Sequence, residues 1–307
     1  MTFDTVIVGG GPAGLAASIY ALRAGLGALM LERLFEGGQL ANIHSAENYP
    51  GFGEISGVGL IERFVSHVNK YGGATVNEEV LKIAADTSGG KTIFAVKTDQ
   101  NIYETRTVIV ATGASPAKLN AKGEDLFAGR GVSYCATCDG AFYKGNDVAV
   151  IGGGNTALQD AAYLSRICDK IYLIHRRDRF RGENYLVDAC RNLSNVKITL
   201  DTVLEEITGD GNVSGIKIKN VKTGIISDIP VSGVFIAAGL TPASGFGGDL
   251  LDLDEKGFIK TDGYMRTNVP GVFAAGDVRT SPLRQIVTAA ADGAVAAHSA
   301  SEFINGY

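Results

Sequence analysis

Two cysteines separated by two residues stand in the segment Tyr134-Cys135-Ala136-Thr137-Cys138-Asp139-Gly140. A pair with this spacing can close a small redox-active disulfide, and the same spacing can supply half of a zinc site. Which of these two chemistries applies depends on the elements that flank the pair. A dithiol between two nucleotide-binding units would move electrons from one cofactor, through another, into a disulfide.

A glycine-rich turn lies close to the N-terminus. Residues Gly9 to Gly14 read G-x-G-x-x-G and follow the apolar run Thr5 to Val8. A helix is predicted from Pro12 to about Ala24, and Glu32 ends the next apolar run about 20 residues later, where a ribose hydroxyl needs an acceptor. This is the start of a βαβ unit whose helix N-terminus is free for a pyrophosphate. The candidate cofactor residues here are Gly9, Gly11, Pro12, Ala13, Gly14 and Glu32.

The same pattern returns 143 residues later, where Gly152 to Ala157 reads G-x-G-x-x-A after another apolar run. Applied to Glu32, this offset reaches His175, so the ribose acid is absent and the segment His175 to Arg181 carries four arginines. Guanidinium groups bind a 2′-phosphate bidentately, whereas a carboxylate would repel it. The first copy therefore suits FAD or NAD, and the second suits NADPH. The candidate residues of the second site are Gly152, Gly154, Asn155, Thr156, Ala157, His175, Arg176, Arg177 and Arg181.

The order of segments predicts that the second unit is inserted in the first. Ala114-Ser115-Pro116 and the stretch from Leu240 to Gly245 have the composition of linkers. After the second linker come a strand ending at Asp277 and an alanine-rich helix from Leu283 to about Phe303. We predict an α/β fold with two Rossmann-like dinucleotide-binding domains. Residues 1–114 and 246–307 would form the FAD-binding domain, and residues 117–242 the NADPH-binding domain with the cysteine pair.

Residues 37–57 contain five glycines and a proline, which predicts a loop without a regular element. Gln39 and Asn48 in this loop could hydrogen-bond a flavin ring. From the residues alone, ordinary polar loop side chains are the better interpretation.

Composition excludes several classes of function. Hydrophobic residues make up 45% of the 307 residues and charged residues 20%, which predicts a packed protein. The net charge of −5 without a basic run gives no support for a nucleic-acid partner. No apolar run is long enough to cross a bilayer, and the N-terminus enters a strand without the layout of a signal peptide. With only four cysteines, we expect a cytoplasmic protein with no nucleic-acid or membrane partner.

The remaining cysteines, Cys168 and Cys190, are expected to be small buried residues. Together with the close pair they would give poor zinc spacing, so no metal site is expected.

These motifs together resemble the low-molecular-weight thioredoxin reductases of bacteria and related organisms over essentially the whole chain. The matching motifs are Gly9 to Gly14, Cys135 to Gly140, Gly152 to Ala157, His175-Arg176-Arg177 with Arg181, and Ala275-Gly276-Asp277 followed by Arg284-Gln285. Ferredoxin-NADP reductases of this group lack the dithiol, and ferredoxin-dependent flavin thioredoxin reductases lack an intact NADPH motif. This chain carries both features, although Asn155-Thr156 stands where many members have Asp-Ser.

The resemblance implies a homodimeric flavoenzyme that passes electrons from NADPH through FAD to its own disulfide and then to thioredoxin. It implies that the FAD contacts include Glu32, Gln39, Asn48, Asp277, Arg284 and Gln285. It also implies that Cys138 is the flavin-side cysteine and that Cys135 attacks the partner's disulfide. Asp139 is a candidate proton donor to the departing thiolate, with a carboxylate at a helix start as the alternative.

Three functions remain open from the sequence. The first is an NADPH-dependent disulfide reductase, the second a flavin oxidase or electron-transfer reductase with incidental cysteines, and the third a non-enzymatic NADPH sensor. For the first, nicotinamide and disulfide cannot occupy one flavin face together. We therefore expect the inserted domain to rotate about its two linkers during turnover.

Overall fold

The computed structural model describes residues 2–43, 46, 48–86 and 92–306, apart from the side chains of Asn42 and Cys138. The described chain divides into two compact units. Unit 1 takes the residues up to Ser115 together with those from Thr241 onward, and unit 2 runs from Pro116 to Leu240.

Along the chain, the strands and helices alternate over residues 3–77 and 147–199, an order typical of α/β proteins. In the first part of the chain they are β1 (Phe3–Val8), α1 (Pro12–Arg23), β2 (Ala28–Glu32), α2 (Gly57–Lys70), β3 (Thr75–Asn77), β4 (Val80–Asp86), β5 (Ile93–Thr98), β6 (Ile102–Val110) and β7 (Ala114–Pro116). In the middle part they are β8 (Val132–Ser133), α3 (Ala136–Asp139), β9 (Asp147–Gly152), α4 (Asn155–Leu164), β10 (Lys170–Ile174), α5 (Asn184–Arg191), β11 (Val196–Thr199), β12 (Thr202–Asp210), β13 (Asn212–Asn220), β14 (Ile226–Pro230), β15 (Gly233–Ala237) and β16 (Leu240–Pro242). The last part holds β17 (Val272–Ala274) and α6 (Ile286–Asn305).

Unit 1 is built on a seven-stranded sheet in which β6 pairs with three strands, β1, β5 and β17. Strands β3, β2, β1 and β6 run parallel in that order, and β17 pairs with β6 over Val108 to Val110. The earlier part of β6, from Ile102 to Thr105, pairs antiparallel with β5, which in turn pairs with β4. The parallel part brings the carboxyl ends of β1, β2, β6 and β17 to one edge, where α/β proteins bind ligands.

Unit 2 contains a parallel sheet in the order β11, β10, β9, β15, β8 and a separate antiparallel sheet of β12, β13 and β14. Both faces of β9 are buried. Val148 and Val150 pack with α4 and α5, while Ala149 and Ile151 pack toward the antiparallel sheet. Burial on both faces explains why β9 reads as an unbroken apolar run.

In unit 1, helices α1 and α6 lie side by side on the sheet. A Cβ added at Gly293 of α6 would lie 2.0 Å from the carbonyl oxygen of Ala13 and 3.0 Å from the amide nitrogen of Ala17. The glycine and the alanines therefore allow the two backbones to approach closely, and this contact carries one of the two apolar cores of the unit.

The structure differs from the sequence-based expectations in three places. The segment 37–57 was expected to hold no regular element, but Gly38–Asn42 forms a 3-10 helix, which Gly37 enters with a φ of 114°. A helix from Asn155 to Ile167 is expected from the sequence, but α4 ends at Leu164, because the chain turns there through hydrogen bonds to the carbonyl oxygens of Ala161, Tyr163 and Leu164. The two expected linkers are not irregular, since they pair with each other as β7 and β16.

Among the described residues, no helix is both long enough and apolar enough to cross a membrane.

Candidate functional site

The first glycine turn joins β1 to α1. An added Cβ at Gly9 would lie 2.4 Å from the carbonyl oxygen of Ala111, and one at Gly14 would lie 1.8 Å from the carbonyl oxygen of Gly9. Gly11 is different, because no described atom beyond its chain neighbours lies within 4 Å of its added Cβ. Gly11 is also the N-cap of α1, and no side chain caps the helix. Two glycines thus close the turn, and the third leaves open space at free helix N–H groups, which is where an anion binds.

The second glycine turn joins β9 to α4 and repeats this arrangement. An added Cβ at Gly152 would lie 2.4 Å from the carbonyl oxygen of Ala237 and 2.8 Å from the Cβ of Ala157. Gly154, which is 143 residues after Gly11, also has no described atom beyond its chain neighbours within 4 Å of its added Cβ, and it caps α4 without a side-chain hydrogen bond. The sequence repeat is therefore also a structural repeat of two open, uncapped helix N-termini.

The other predicted residues of these turns lie at the helix starts. Pro12 is the first residue of α1, where its missing N–H costs nothing, and Ala13 is buried against α6. Asn155 and Thr156 are exposed at the start of α4, and Ala157 is buried below them.

Glu32 lies at the carboxyl end of β2, beside the first turn. Its Oε2 accepts a hydrogen bond from the Gly10 N–H at 2.6 Å, and its Oε1 accepts one from the Leu34 N–H at 3.2 Å. Each carboxylate oxygen has a second acceptor position. The carboxylate is thus held at the turn and retains acceptor capacity for a ribose hydroxyl.

Two predicted flavin contacts from opposite ends of the chain lie together in unit 1. The Asn48 amide donates to Gln285 Oε1 at 2.9 Å, although the residues are 237 positions apart. Gln39 donates to the carbonyl oxygen of Ala114 at 3.3 Å. Gln285 also precedes α6 as its N-cap, in a capping box with Thr288.

Asp277 lies in the turn that follows β17. Burial raises its pKa, the guanidinium of Arg284 acts in the opposite direction, and the carboxylate of Asp292 raises it further. Arg284 donates to the carbonyl oxygen of Asp277 at 3.4 Å and lies 4.0 Å over the ring of Phe258. The two predicted residues therefore share one turn, at the carboxyl end of a sheet strand.

His175 lies in unit 2 beside the second turn. It is 5% exposed, its Nε2 has no hydrogen-bond partner among the described residues, and its ring stacks on Phe180 at 5.4 Å between centroids. Burial lowers the pKa of His175, and the charges of the nearby arginines lower it further. A hydrogen bond with the Arg179 backbone acts in the opposite direction and raises this pKa. The imidazole is therefore neutral at neutral pH.

The arginine loop is tied to the glycine turn by its backbone. The N–H groups of Arg181 and Gly182 both donate to the carbonyl oxygen of Gly153, at 2.7 and 3.2 Å. Asn155 and Glu183 exchange two hydrogen bonds, at 2.9 and 3.2 Å. Within this loop the side chains of Arg176, Arg177 and Arg181 are exposed. The structure thus places three cationic groups on a loop that is fixed to the open helix N-terminus.

Cys135 follows β8 and is disulfide-bonded. Its N–H donates to Ser133 Oγ at 3.0 Å, and Ser133 Oγ donates to Asp139 Oδ2 at 2.6 Å. The backbone of Cys138 lies in α3, but its side chain, predicted to be the flavin-side sulfur, lies outside the described part of the structure. The two residues of the predicted chemistry that the structure describes, Cys135 and Asp139, are joined through one serine.

Comparisons with known proteins identify the family of this chain. The pyridine nucleotide-disulphide oxidoreductase family matches residues 3–293. Thioredoxin reductase of Listeria monocytogenes is 42% identical over 303 residues, which cover 98% of this chain and 94% of that protein. Thioredoxin reductase of Bacillus subtilis is 40% identical over 305 residues, with 98% and 95% covered. The structure of Lactococcus lactis thioredoxin reductase in its FR conformation matches with a TM-score of 0.89 and 39% identity, over 100% of both chains.

The chain belongs to the pyridine nucleotide-disulphide oxidoreductases and, among them, to the thioredoxin reductase family. Membership confirms the predicted α/β fold and the resemblance derived from the motifs.

The two cysteines outside the close pair are expected to be unreactive in this protein. Cys168 and Cys190 are free thiols, 5% and 0% exposed, which confirms the prediction that they are buried. Burial raises the pKa of Cys168 to about 11, with Asp169 and Asp147 adding to the shift, and burial also raises that of Cys190. Thiols that stay protonated at neutral pH are poor nucleophiles. In the described parts of the chain, no cluster of three or more His, Cys, Asp or Glu could hold a metal ion.

Sequence reasoning missed two features of this site. One is Ser133, whose contacts with Cys135 and Asp139 no spacing rule would indicate. The other is the ion pair of Arg279 with Asp292 of α6, at 2.7 Å, whose carboxylate also accepts a hydrogen bond from the Gly276 N–H at 3.1 Å. An aspartate in the alanine-rich part of α6 was the available signal, because a buried charge needs a partner.

Proposed function

We propose that this protein is an NADPH-dependent thioredoxin-disulfide reductase. Electrons would pass from NADPH through FAD and the Cys135–Cys138 disulfide to oxidised thioredoxin. The observation that carries the proposal is the pair of open glycine turns, one in each unit, of which one precedes and the other follows a disulfide-bonded Cys135 in the sequence. The names of its full-length relatives support the same activity.

The residues of unit 1 fit FAD. The open space at Gly11 and the uncapped N-terminus of α1 suit a pyrophosphate, and Glu32 offers acceptors to a ribose. Gln39, Asn48, Asp277, Arg284 and Gln285 supply the polar groups that the family resemblance assigns to the rest of the cofactor. When bound, FAD supplies two-electron transfer between a nicotinamide and a disulfide.

The residues of unit 2 fit NADPH better than NADH. Gly154 and the N-terminus of α4 suit the pyrophosphate, and the His175 ring lies against Gly153 of the same turn, with Nδ1 and Cε1 each 2.2 Å from a Cβ added there. No carboxylate stands where the ribose acid would be, and Arg176, Arg177 and Arg181 offer guanidinium groups for the 2′-phosphate. These arginines support NADPH over ferredoxin as the electron source.

The thiol chemistry follows from the side chains near α3. The Cys135 thiolate attacks a sulfur of the thioredoxin disulfide, forming a mixed disulfide and releasing the other thioredoxin sulfur as a thiolate. Asp139 gives its proton to that leaving thiolate and becomes a carboxylate. The Cys138 thiolate then attacks Cys135 Sγ, which restores the enzyme disulfide and releases the second thioredoxin sulfur for protonation by solvent.

The same proposal includes a homodimer, a thioredoxin or thioredoxin-like protein as partner, and a location in the cytoplasm. It rests for these points on the family resemblance and on the small number of cysteines.

Steady-state turnover of the purified protein with NADPH and a panel of thioredoxins and glutaredoxins tests the proposal. We expect yellow protein that NADPH bleaches and that reduces at least one thioredoxin. Yellow protein that consumes NADPH only with oxygen or ferredoxin would favour an oxidase or electron-transfer reductase. Colourless protein that cannot be reconstituted with FAD would contradict the flavoenzyme and favour an NADPH sensor.

A further inference from the structure

Ser133 occupies a rigid position next to the cysteine pair. It is the last residue of β8, it is 4% exposed, and its backbone is in register with Phe235 of the neighbouring strand β15. A side chain on a sheet strand with so little room has few alternative orientations. The hydroxyl is therefore held in place by the core of unit 2.

This hydroxyl connects the attacking cysteine to the candidate acid. Ser133 Oγ accepts a hydrogen bond from the Cys135 N–H at 3.0 Å and donates to Asp139 Oδ2 at 2.6 Å. A serine has one hydrogen to donate, and the next acceptor, the carbonyl oxygen of Cys135, is more distant at 3.2 Å. The Asp139 N–H also donates to that carbonyl oxygen, at 3.1 Å. These contacts form a closed ring that determines where the Asp139 carboxyl group lies relative to Cys135.

Asp139 needs such a partner. It ends a helix of only four residues, which lacks the length to hold a side chain by itself. Among the other described side chains, that of Tyr143 has its pKa raised by burial and, secondarily, by the charge of Asp139. Tyr143 donates no hydrogen bond to it among the described contacts, which leaves Ser133 as the side chain that orients Asp139 there.

We infer that Ser133 is a positioning residue for thiol–disulfide interchange, and this rests on the function proposed above. In the step that forms the mixed disulfide, the proton moves from the Asp139 carboxyl to the leaving thiolate, and the Ser133 hydroxyl then donates its hydrogen bond to the new carboxylate. Ser133 itself neither gains nor loses a proton. Its contribution is to orient the acid and to stabilise the charge that the transfer creates.

The test is a double-mutant cycle on the full-length FAD-loaded protein. Pre-reduced enzyme is mixed with a purified oxidised bacterial thioredoxin, and the rate of mixed-disulfide formation is measured by rapid quench. Ser133→Ala should lower this rate roughly tenfold, the scale of one hydrogen bond to a charged group, and leave flavin reduction by NADPH unchanged. Ser133→Thr, which keeps the hydroxyl, should restore most of the rate.

The decisive comparison uses Asp139→Asn as background. If Ser133 acts through Asp139, adding Ser133→Ala to Asp139→Asn should cause no further loss. The same fold loss on both backgrounds would overturn the inference and assign Ser133 to the Cys135 turn alone. Ser165→Ala is the matched control, because it removes another partly buried hydroxyl of unit 2, which donates to Ala162, and should change neither rate.

The measurements distinguish a wrong role for Ser133 from a wrong function for the protein. An unmutated enzyme that forms no mixed disulfide with any thioredoxin would contradict the function. A fully active Asp139→Asn variant would remove Asp139 as the acid, and Ser133 with it, while leaving the reductase activity established.

Discussion

The ion pair between Arg279 and Asp292 makes a measurable prediction for unit 1. The two side chains are 13% and 11% exposed, and Asp292 accepts from Arg279 at 2.7 and 2.9 Å and from the Gly276 N–H at 3.1 Å. Replacing Asp292 by alanine would leave a guanidinium buried without its counter-charge. Removing one member of a buried pair costs about 3–5 kcal/mol of unfolding free energy.

The expected consequence is a lower melting temperature and weaker FAD retention. At roughly 2–4 °C per kcal/mol for a unit of this size, the loss corresponds to a shift of about 6–20 °C in thermal unfolding followed by circular dichroism. FAD should also be retained less well in equilibrium dialysis, because Gly276 and Arg279 flank Asp277. The double variant Arg279→Leu with Asp292→Ala should recover much of the stability, since neither charge is then left unpaired.

An exposed ion pair of the same unit provides the control. Arg33 and Glu79 lie 3.4 Å apart with side chains 62% and 49% exposed, so Glu79→Ala should cost no more than about 1 kcal/mol. If Asp292→Ala proved as mild as this control, or if the double variant lost the sum of the two single losses, the buried pair would not stabilise the turn as described.

Four further predictions concern the redox chemistry and stability. Cys135→Ser should keep FAD and its reduction by NADPH but abolish thioredoxin reduction, so substantial residual turnover would contradict its role as the attacking thiol. Neutral replacements of Arg176 and Arg177 should raise the KM for NADPH strongly and that for NADH little, with about 1.5–3 kcal/mol per lost contact, and equal losses would show that they do not bind the 2′-phosphate. Burial raises the pKa of Glu78, but its hydrogen bonds from Thr98, Asn101 and Tyr103 leave it below the ordinary value, so its contribution to stability exists above the ordinary pKa and is lost as the pH falls through the lowered one. Glu78→Gln should then flatten the acid side of a melting-temperature curve, and an unchanged acid side would refute this. A covalent cross-link between the two units should permit one half-reaction but stop multiple turnover, and normal cycling of the locked enzyme would exclude the expected rotation.

Much of the candidate site was predictable because its signals are local. A G-x-G-x-x-G turn needs small residues within a few positions of one another. The spacing of Gly9, Gly11 and Gly14 therefore indicates the turn directly. The second turn has the same spacing from its own strand and helix as the first. This spacing shows that His175 stands at the position where the first unit has its ribose acid. The sequence does not distinguish the glycines that are required for close packing from the glycine that leaves space for a ligand. That difference depends on which part of the backbone lies close to each glycine in the fold.

Two other features were not predicted, because the local composition indicated an irregular segment and the contacts in the fold produced a regular one. Glycines at positions 37 and 38 argued against a regular element, yet Gly37 uses its left-handed φ of 114° to start the 3-10 helix that carries Gln39. The linkers were identified by proline and small residues, but their pairing as β7 and β16 joins segments more than one hundred residues apart.

The sequence by itself determined the chemistry available to this protein, namely a spaced dithiol, two nucleotide turns and an arginine loop in place of a ribose acid. These features follow from residue types and short spacings, which do not depend on how the chain folds. Only the tertiary structure decided which groups meet, as Asn48 does with Gln285, Asp292 with Arg279, and Asp139 with Ser133. Partners of this kind are chosen by the packing of strands and helices around a common core, and no periodicity along the chain encodes them.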